Sequence, residues 1–528
     1  MLPVHRTRTF TPERLGGGLR HGFYDPAMPT TALDPRAPVI IGTGQWTNRV
    51  HHGADPVAPV DLMAGAARRA AEDAGTPGAL RSLEAVRVVG LLSWRYRDPA
   101  RLVTEALGSP GARTGLSSMG GNAPQMLVNA TAAQIQRGDL DLALVCGGEA
   151  WRTRKDHIRR DERPPWTVQA EEATPDERFG TELAMSHQAE TAVGLLLPTQ
   201  MYALIDHAIR IDAGRSIDDQ RRRIGALWSR FSAAAATNPH AWHNEELSPD
   251  EVIEPGPDNR LVGHPYTKAV NSYEWVDQGA ALLLCSAERA RALGVPPDRW
   301  VFPLAGADCT DPMISVRRDL HRSPAMAATG RAVLDAAGVG VDDLGIIDLY
   351  SCFPSAVELA ALELGLGFDR ELSVTGGMSF FGGPWNDYVT HSVATTVDRL
   401  RAEPDQLALC TANGGYANKQ AFGVYAARPG PNGFRHETNR PQAEADRAER
   451  REVVQGHHGP ATMEAWTVMH GRDGSPEAAF AAALTADGAR TWASSTDEVV
   501  MAALLTGELD RCALDVSAGS FRPVAGPD

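Results

Sequence analysis

The residues from Gly115 to Ala150, GLSSMGGNAPQMLVNATAAQIQRGDLDLALVCGGEA, bring a glycine turn, a helix and a strand into succession. Asn122 stands where a helix N-cap belongs, and Pro124 falls in the first turn, where a missing N–H costs nothing. A helix start leaves its first amide groups unpaired, so this one could hold an anion or the oxygen of a thioester. The same residues equally suit a helix that only packs between two sheets. Ser117 and Ser118 lie close by, but no base for either can be assigned. Further on, VTGGMSFFGGPWNDYVTH carries Tyr388 and His391, whose phenol and imidazole could move protons or donate to an enolate oxygen. The plainer alternative is that His391 starts a helix and Tyr388 packs.

Bulk properties narrow the classes. At 528 residues the chain holds two to four domains at ~100–200 residues each. A formal charge of −15 argues against a nucleic-acid partner, since a phosphate backbone asks for a basic face; an anionic ligand would need a local basic patch. The six cysteines, Cys146, Cys285, Cys309, Cys352, Cys410 and Cys512, form no C-x-x-C pair. Neither a zinc ribbon nor a disulfide framework is indicated, no metal site is expected, and the cytoplasm is the natural location. No apolar run approaches the ~18 residues of a membrane span.

The elements that must position these groups read as α/β. APVIIGTGQ is a buried strand with a glycine turn, DLMAGAARRAAEDAG an amphipathic helix ending at Gly75, and VRVVGLLS a second buried strand. RSPAMAATGRAVLDAAGVGVDDLGIIDLYS repeats this grammar, and Arg68–Gly75 and Arg331–Gly338 match in length and pattern, which points to a duplicated half. Residues 1–36 read as a disordered leader, with Met28 an alternative start. The first half is expected over 37–150, with its last strands near 190–200. An inserted segment over 151–267 contains LLLPTQMYALIDHAIR and DDQRRRIGALWSRFSAAAA as helices. The second half is expected over 268–428, a polar linker over 429–457, and a small β domain over 458–528, for which an OB-like barrel is one candidate.

Four blocks in order resemble the thiolase superfamily. Gly138-Asp139-Leu140-Asp141 and Gly147-Gly148-Glu149 fit the tail of the thiolase nucleophile region. Counting back from Gly138 places Gly121, with Asn122 beside it, where the family keeps its nucleophilic cysteine. IIDLYSCF resembles the H-D-C-F segment of sterol-carrier-protein thiolases, which puts Tyr350 at their oxyanion-hole position with Cys352 and Phe353 matching. It is similar as well to the Y-D-C-F of thiolase-fold aldolases of sterol breakdown, with Ser351 replacing their aspartate. The G-H-P loop aligns Gly383 with the activating histidine. QLALCTANGGYANK corresponds to the C-x-G-G block, making Cys410 the candidate acid/base at the substrate α-carbon, against the reading of a buried structural thiol. The chain resembles in particular the actinobacterial thiolase-like proteins of type 1 that carry an additional C-terminal domain.

The resemblance implies a five-layer αβαβα core of two duplicated halves and an acyl-CoA thioester as ligand, with no permanently bound cofactor. It implies an acyltransferase of the thiolase class, acetyl-CoA acetyltransferase-like, in lipid metabolism. Because the thiolase mechanism holds its acyl group on a cysteine thiolate, for which only Ser117 or Ser118 is a conceivable substitute, two further readings stand beside it: aldolase or lyase chemistry using Tyr350, and an acyl-CoA-binding or scaffold protein. Arg221, Arg222 and Arg223 are the candidates for CoA phosphates, against a solvated helix face. Tyr266, Lys268, Asn271 and Ser272 lie where the chain re-enters the core and could line the entrance. A homodimer or a monomer is compatible with the resemblance.

Overall fold

The computed structural model describes residues 33–49 and 56–524; most of the expected leader lies outside them. Two sheets face one another across a helical layer. The first has six strands in the order Pro38–Thr47, Asp277–Ser286, Leu142–Ala150, Ala85–Val88, Arg113–Ser117, Glu177–Phe179. The second has five, in the order Leu344–Asp348, Leu407–Gly414, Lys419–Ala426, Phe302–Thr310, Arg435–Glu437. Helices Ala123–Arg137 and Tyr388–Ala402 lie between the sheets, and helices such as Pro59–Asp73 and Pro324–Ala337 cover the outer faces.

The middle helix Ala123–Arg137 is built for that place. Its small residues let two sheets approach, and Gly138 ends it in the left-handed conformation at φ 78°. The duplicated grammar reappears in space: Pro324–Ala337 ends at Gly338 with φ 72° and feeds the strand Leu344–Asp348.

Three expectations about boundaries need correction. Strand Asp277–Ser286, expected in the second half, lies in the first sheet, antiparallel to both Pro38–Thr47 and Leu142–Ala150. The apolar run AALLLC would suit either sheet, so its sequence does not choose. No strand lies near 190–200; helices Gln188–Ala192 and Pro198–Asp212 occupy that stretch, and Glu177–Phe179 closes the edge instead. The stretch 429–457 is more than a linker: Arg435–Glu437 extends the second sheet, and helix Asn439–Asp446 buries Ala445 against Cys309 and Ala325. Its attachment is largely polar, as in His436 with Asp308 and Arg440 with Asp335, and therefore leaves no apolar periodicity.

Glu177–Phe179 pairs in parallel with Arg113–Ser117 and is the short edge strand of the first sheet.

The C-terminal strands His458–His470, Pro476–Thr485, Arg490–Ser495, Ser520–Pro523 and Ala513–Ser517 form a closed ring, with helix Glu498–Thr506 preceding the last two in sequence. The parallel contact between Arg490–Ser495 and Ser520–Pro523 makes the ring order compatible with an OB-like barrel. Short strands Leu261–Gly263 and Tyr266–Thr267 of the inserted segment continue this sheet. Arg490, fully buried, latches the barrel to the core. Its guanidinium meets both oxygens of Glu464 at 2.7 and 2.6 Å and donates to the carbonyls of Ser315 and Arg317 at 2.7 and 2.6 Å. Arg490→Met leaves Glu464 and these carbonyls without their buried partner, and is expected to cost about 3–5 kcal/mol. Limited proteolysis would show it as early cleavage between barrel and core.

Among the described residues no helix is long and apolar enough to cross a membrane, and no three His, Cys, Asp or Glu side chains group as a metal site.

Candidate functional site

The strand Leu344–Asp348 ends just before Tyr350, whose backbone N–H donates to Thr411 Oγ1 at 2.9 Å. That bond ties the Tyr350 loop to the neighbouring strand Leu407–Gly414 and aims the ring at the start of the central helix. A Cβ built on Gly121 would overlap the Tyr350 phenol oxygen and lie 2.6 Å from both Tyr350 Cζ and the Asn413 carbonyl oxygen. Tyr350 thus occupies the volume in which a side chain at 121 would begin. The ring is 8% exposed, and its phenol oxygen has no hydrogen-bond partner among the described residues. Burial, with Cys352 and Tyr388 adding to it, pushes the phenol well above its ordinary pKa, so it is a neutral donor at physiological pH.

At Asn122 the position is the expected one but the side chain does not cap. Asn122 has helical dihedrals, φ −74° and ψ −16°, makes no side-chain cap bond, and leaves its buried Oδ1 without a partner. That oxygen packs against Gly120 and Gly414, where a Cβ on either glycine would come within 2.5 Å of it. The amides of Gly121 and Asn122 donate to no group among the described residues.

Tyr388 supports Tyr350 from behind. The two rings meet edge to face at 5.9 Å, and the Tyr388 hydroxyl lies 2.5 Å from Thr375 Oγ1, 3.3 Å from Ser351 Oγ and 3.4 Å from Asp348 Oδ2. Asp348 is itself occupied, accepting from Ser373 Oγ and the Val374 N–H at 2.9 Å each. Buried and fully engaged, Tyr388 positions its neighbour.

His391 points elsewhere. Its Nδ1 lies 2.8 Å from Gln45 Oε1, its Nε2 3.8 Å from Asp387 Oδ2, and its ring packs on Phe381. Burial lowers its pKa to about 3, so it is a neutral fastener between helix Tyr388–Ala402 and the first sheet. Cys410 also lies away from the phenol. Its Sγ is 3.2 Å from Thr396 Oγ1, burial pushes the thiol to about 12, and the strand residues that reach Gly121 are Asn413 and Gly414, further along. At Gly383 the backbone N–H donates to Tyr273 O at 2.8 Å, and a Cβ there would meet Ser272 and Tyr273 at an ordinary 3.4 Å. Position 383 has room for a side chain; position 121 has none.

The arginine triplet is dispersed. Arg221 donates to Ile253 O at 2.7 Å, Arg222 pairs with Asp219 at 2.6 Å, and Arg223 lies over the Phe368 ring at 3.5 Å beside Glu358. Of the residues expected at the entrance, Ser272 touches the site, donating to Cys352 O at 2.7 Å. Tyr266 is buried on Asp206, Lys268 donates to Asp258 O, and Asn271 pairs with Thr199. Tyr202 joins the site without a sequence signal. Its hydroxyl receives Asn413 Nδ2 at 3.2 Å and the Ala417 N–H at 3.1 Å, and its ring stacks on Phe353 at 4.8 Å. Lys419 Nζ donates to Met119 O at 2.8 Å and fastens the Gly120 loop to the second sheet.

Glu149, of the Gly147-Gly148-Glu149 block, accepts the N–H groups of Leu92 and Ser93 at 2.7 Å each, yet burial raises its pKa to about 7. A carboxyl raised in the folded state contributes stability fully present below its unfolded value, ~4.3, and lost as pH rises through 7. His391 has the opposite sign: its contribution is complete above ~6.5 and lost as pH falls toward 3. Between pH 6.5 and 8.5 Glu149 dominates this pair, and linkage puts its loss at about 1 kcal/mol. The unfolding midpoint is therefore expected to fall over that interval, and less steeply in Glu149→Gln.

Two facing sheets around buried helices, with the start of helix Ala123–Arg137, the Tyr350 loop and the Gly414 turn converging, define a thiolase-type fold in which the Tyr350 phenol fills the space beside Gly121. Residues 441–518 match the family described as thiolase-like protein type 1 additional C-terminal domain. The crystal structure of a monomeric SCP2-thiolase like protein type 1 from Mycobacterium smegmatis is 31% identical, with a TM-score of 0.79 over 93% of this chain and 100% of that one. The chain belongs to that family of type 1 thiolase-like proteins. The dimeric peroxisomal thiolase of Saccharomyces cerevisiae, at 16% identity and TM-score 0.53 over 74% of this chain and 98% of that one, shares the fold. The benzoylsuccinyl-CoA thiolase subunit BbsB of Thauera aromatica is 25% identical over 231 residues, 40% of this chain and 56% of its own. The chain thus spans about half the length of the curated relatives it matches.

Proposed function

We propose that the chain binds an acyl-CoA-type thioester at the Gly121–Tyr350 contact and makes or breaks the adjacent C–C bond without an acyl-enzyme. One observation carries this reading: the Tyr350 phenol fills the space a cysteine at 121 would need. A neutral phenol beside the unpartnered Gly121 and Asn122 amides suits a developing enolate oxygen, to which each could donate. This is the chemistry of an aldolase or lyase, with Tyr350 as the acid. CoA is the carrier this reading implies, as in the names of the CoA thiolase relatives.

A second reading, thioester binding without turnover, is favoured by the absence of any base bonded to the phenol among the described residues. A panel of acyl-, 3-ketoacyl- and 3-hydroxyacyl-CoA decides between them. Turnover that collapses in Tyr350→Phe supports the first; saturable binding with no product supports the second. Thiolysis unaffected by Tyr350→Phe would overturn both.

A further inference from the structure

A ladder of cations and indoles runs along the helix Trp151–Arg159, which leaves the first sheet at Ala150. Trp151, Lys155 and Arg159 recur every four residues and so share one face. Arg154 and Lys155 lie over the Trp151 ring at 4.9 and 5.1 Å; Lys155 also lies over Trp275 at 5.9 Å, and Arg159 over Trp275 at 4.3 Å. Arg163 over Trp94 at 5.0 Å prolongs the patch. Three carboxylates face it: Asp156, which accepts from Arg159 Nη1 at 3.1 Å, Glu274 beside Lys155, and the buried Glu149 on the Arg154 side. Arg154, Lys155, Arg159 and Arg163 outnumber them, which leaves a basic patch on a chain of net charge −15.

The ladder adjoins the candidate site at two points. Trp151 packs on Trp385 at 5.6 Å, and Trp385 follows Gly383 by two residues. Trp275 follows Ser272, the donor to Cys352 O, by three, a span of at most ~11 Å. A thioester carrier held at Tyr350 by a flexible arm would bring its charged end to such a place. The indoles already hold the cationic heads, so an anion arriving there would lose little affinity to side-chain ordering.

Resting on the acyl-thioester reading of the Tyr350 site, we propose that Arg154, Lys155 and Arg159 bind the nucleotide phosphates of the CoA-type carrier, the role expected from sequence for Arg221–Arg223. Trp beside basic residues, with Ile158 54% exposed, is also the composition of a membrane-surface helix. Here, however, the indoles are turned onto their own cations, which favours a small anion.

Calorimetric titration of the full chain with CoA, 3′,5′-ADP and pantetheine tests the proposal. Wild type is expected to bind CoA and 3′,5′-ADP more weakly as salt rises. Lys155→Gln/Arg159→Gln should weaken both at least tenfold, with pantetheine unchanged and Arg222→Gln equal to wild type. Should the double variant misfold, Lys155→Gln alone reads the same effect at smaller amplitude. Binding of CoA that survives these changes overturns the ladder and leaves the thioester reading intact. Ladder-dependent binding of 3′,5′-ADP without CoA binding upholds the ladder and removes that reading. Capture by phosphatidylglycerol vesicles with no 3′,5′-ADP binding overturns the ladder in favour of a membrane.

Discussion

Gly121→Cys, the change that would restore the thiolase nucleophile in sequence, is expected to destabilise the protein and yield no acyl-enzyme. The conflict begins at Cβ, which would overlap the Tyr350 phenol and press within 2.6 Å of the Asn413 carbonyl. Gly121→Ala should therefore be nearly as harmful as Gly121→Cys, although alanine supplies no thiol. Overpacking of this kind costs about 1–3 kcal/mol, read as a lowered unfolding midpoint. Gly121→Cys/Tyr350→Ala removes the phenol but leaves the Asn413 backbone in place, so rescue should be partial. A Gly121→Cys protein as stable as wild type that accumulates an acyl adduct would show that the phenol yields readily.

Tyr350→Phe should leave the fold intact, because the hydroxyl makes no hydrogen bond among the described residues and its loss orphans no buried partner. Under the lyase reading turnover should fall about 10²–10⁴-fold, the range of a lost general acid, with a smaller change in KM. Wild-type activity should show no loss assignable to Tyr350 ionisation up to pH 10, since burial holds the phenol protonated above its ordinary range. Steady-state rates of both proteins between pH 6 and 10 check this. A loss of activity near neutrality that is absent in Tyr350→Phe would place the titrating group at Tyr350 and contradict the account.

The blocks around Gly121, Tyr350 and Gly383 were legible because glycine turns and buried strands impose local rules that a sequence carries openly. The collision of Tyr350 with position 121 was not, since it arises between strand ends more than two hundred residues apart. Tyr388 and His391 stand one helical turn apart, yet one supports Tyr350 and the other fastens Gln45, a difference set by which way the helix is rolled. The arginine triplet looked like one patch and is three separate contacts, because adjacent helical residues point about 100° apart. The ladder at Trp151 has no local signature for the converse reason: Trp275 comes from a distant segment to complete it.

The most direct test of a thioester site without a covalent step is rapid quenching of the full chain with saturating acyl-CoA, followed by intact mass measurement beside a calorimetric titration of the same ligand. Saturable binding with the protein mass unchanged is the predicted result. An added acyl mass on any residue, or no binding, would contradict it.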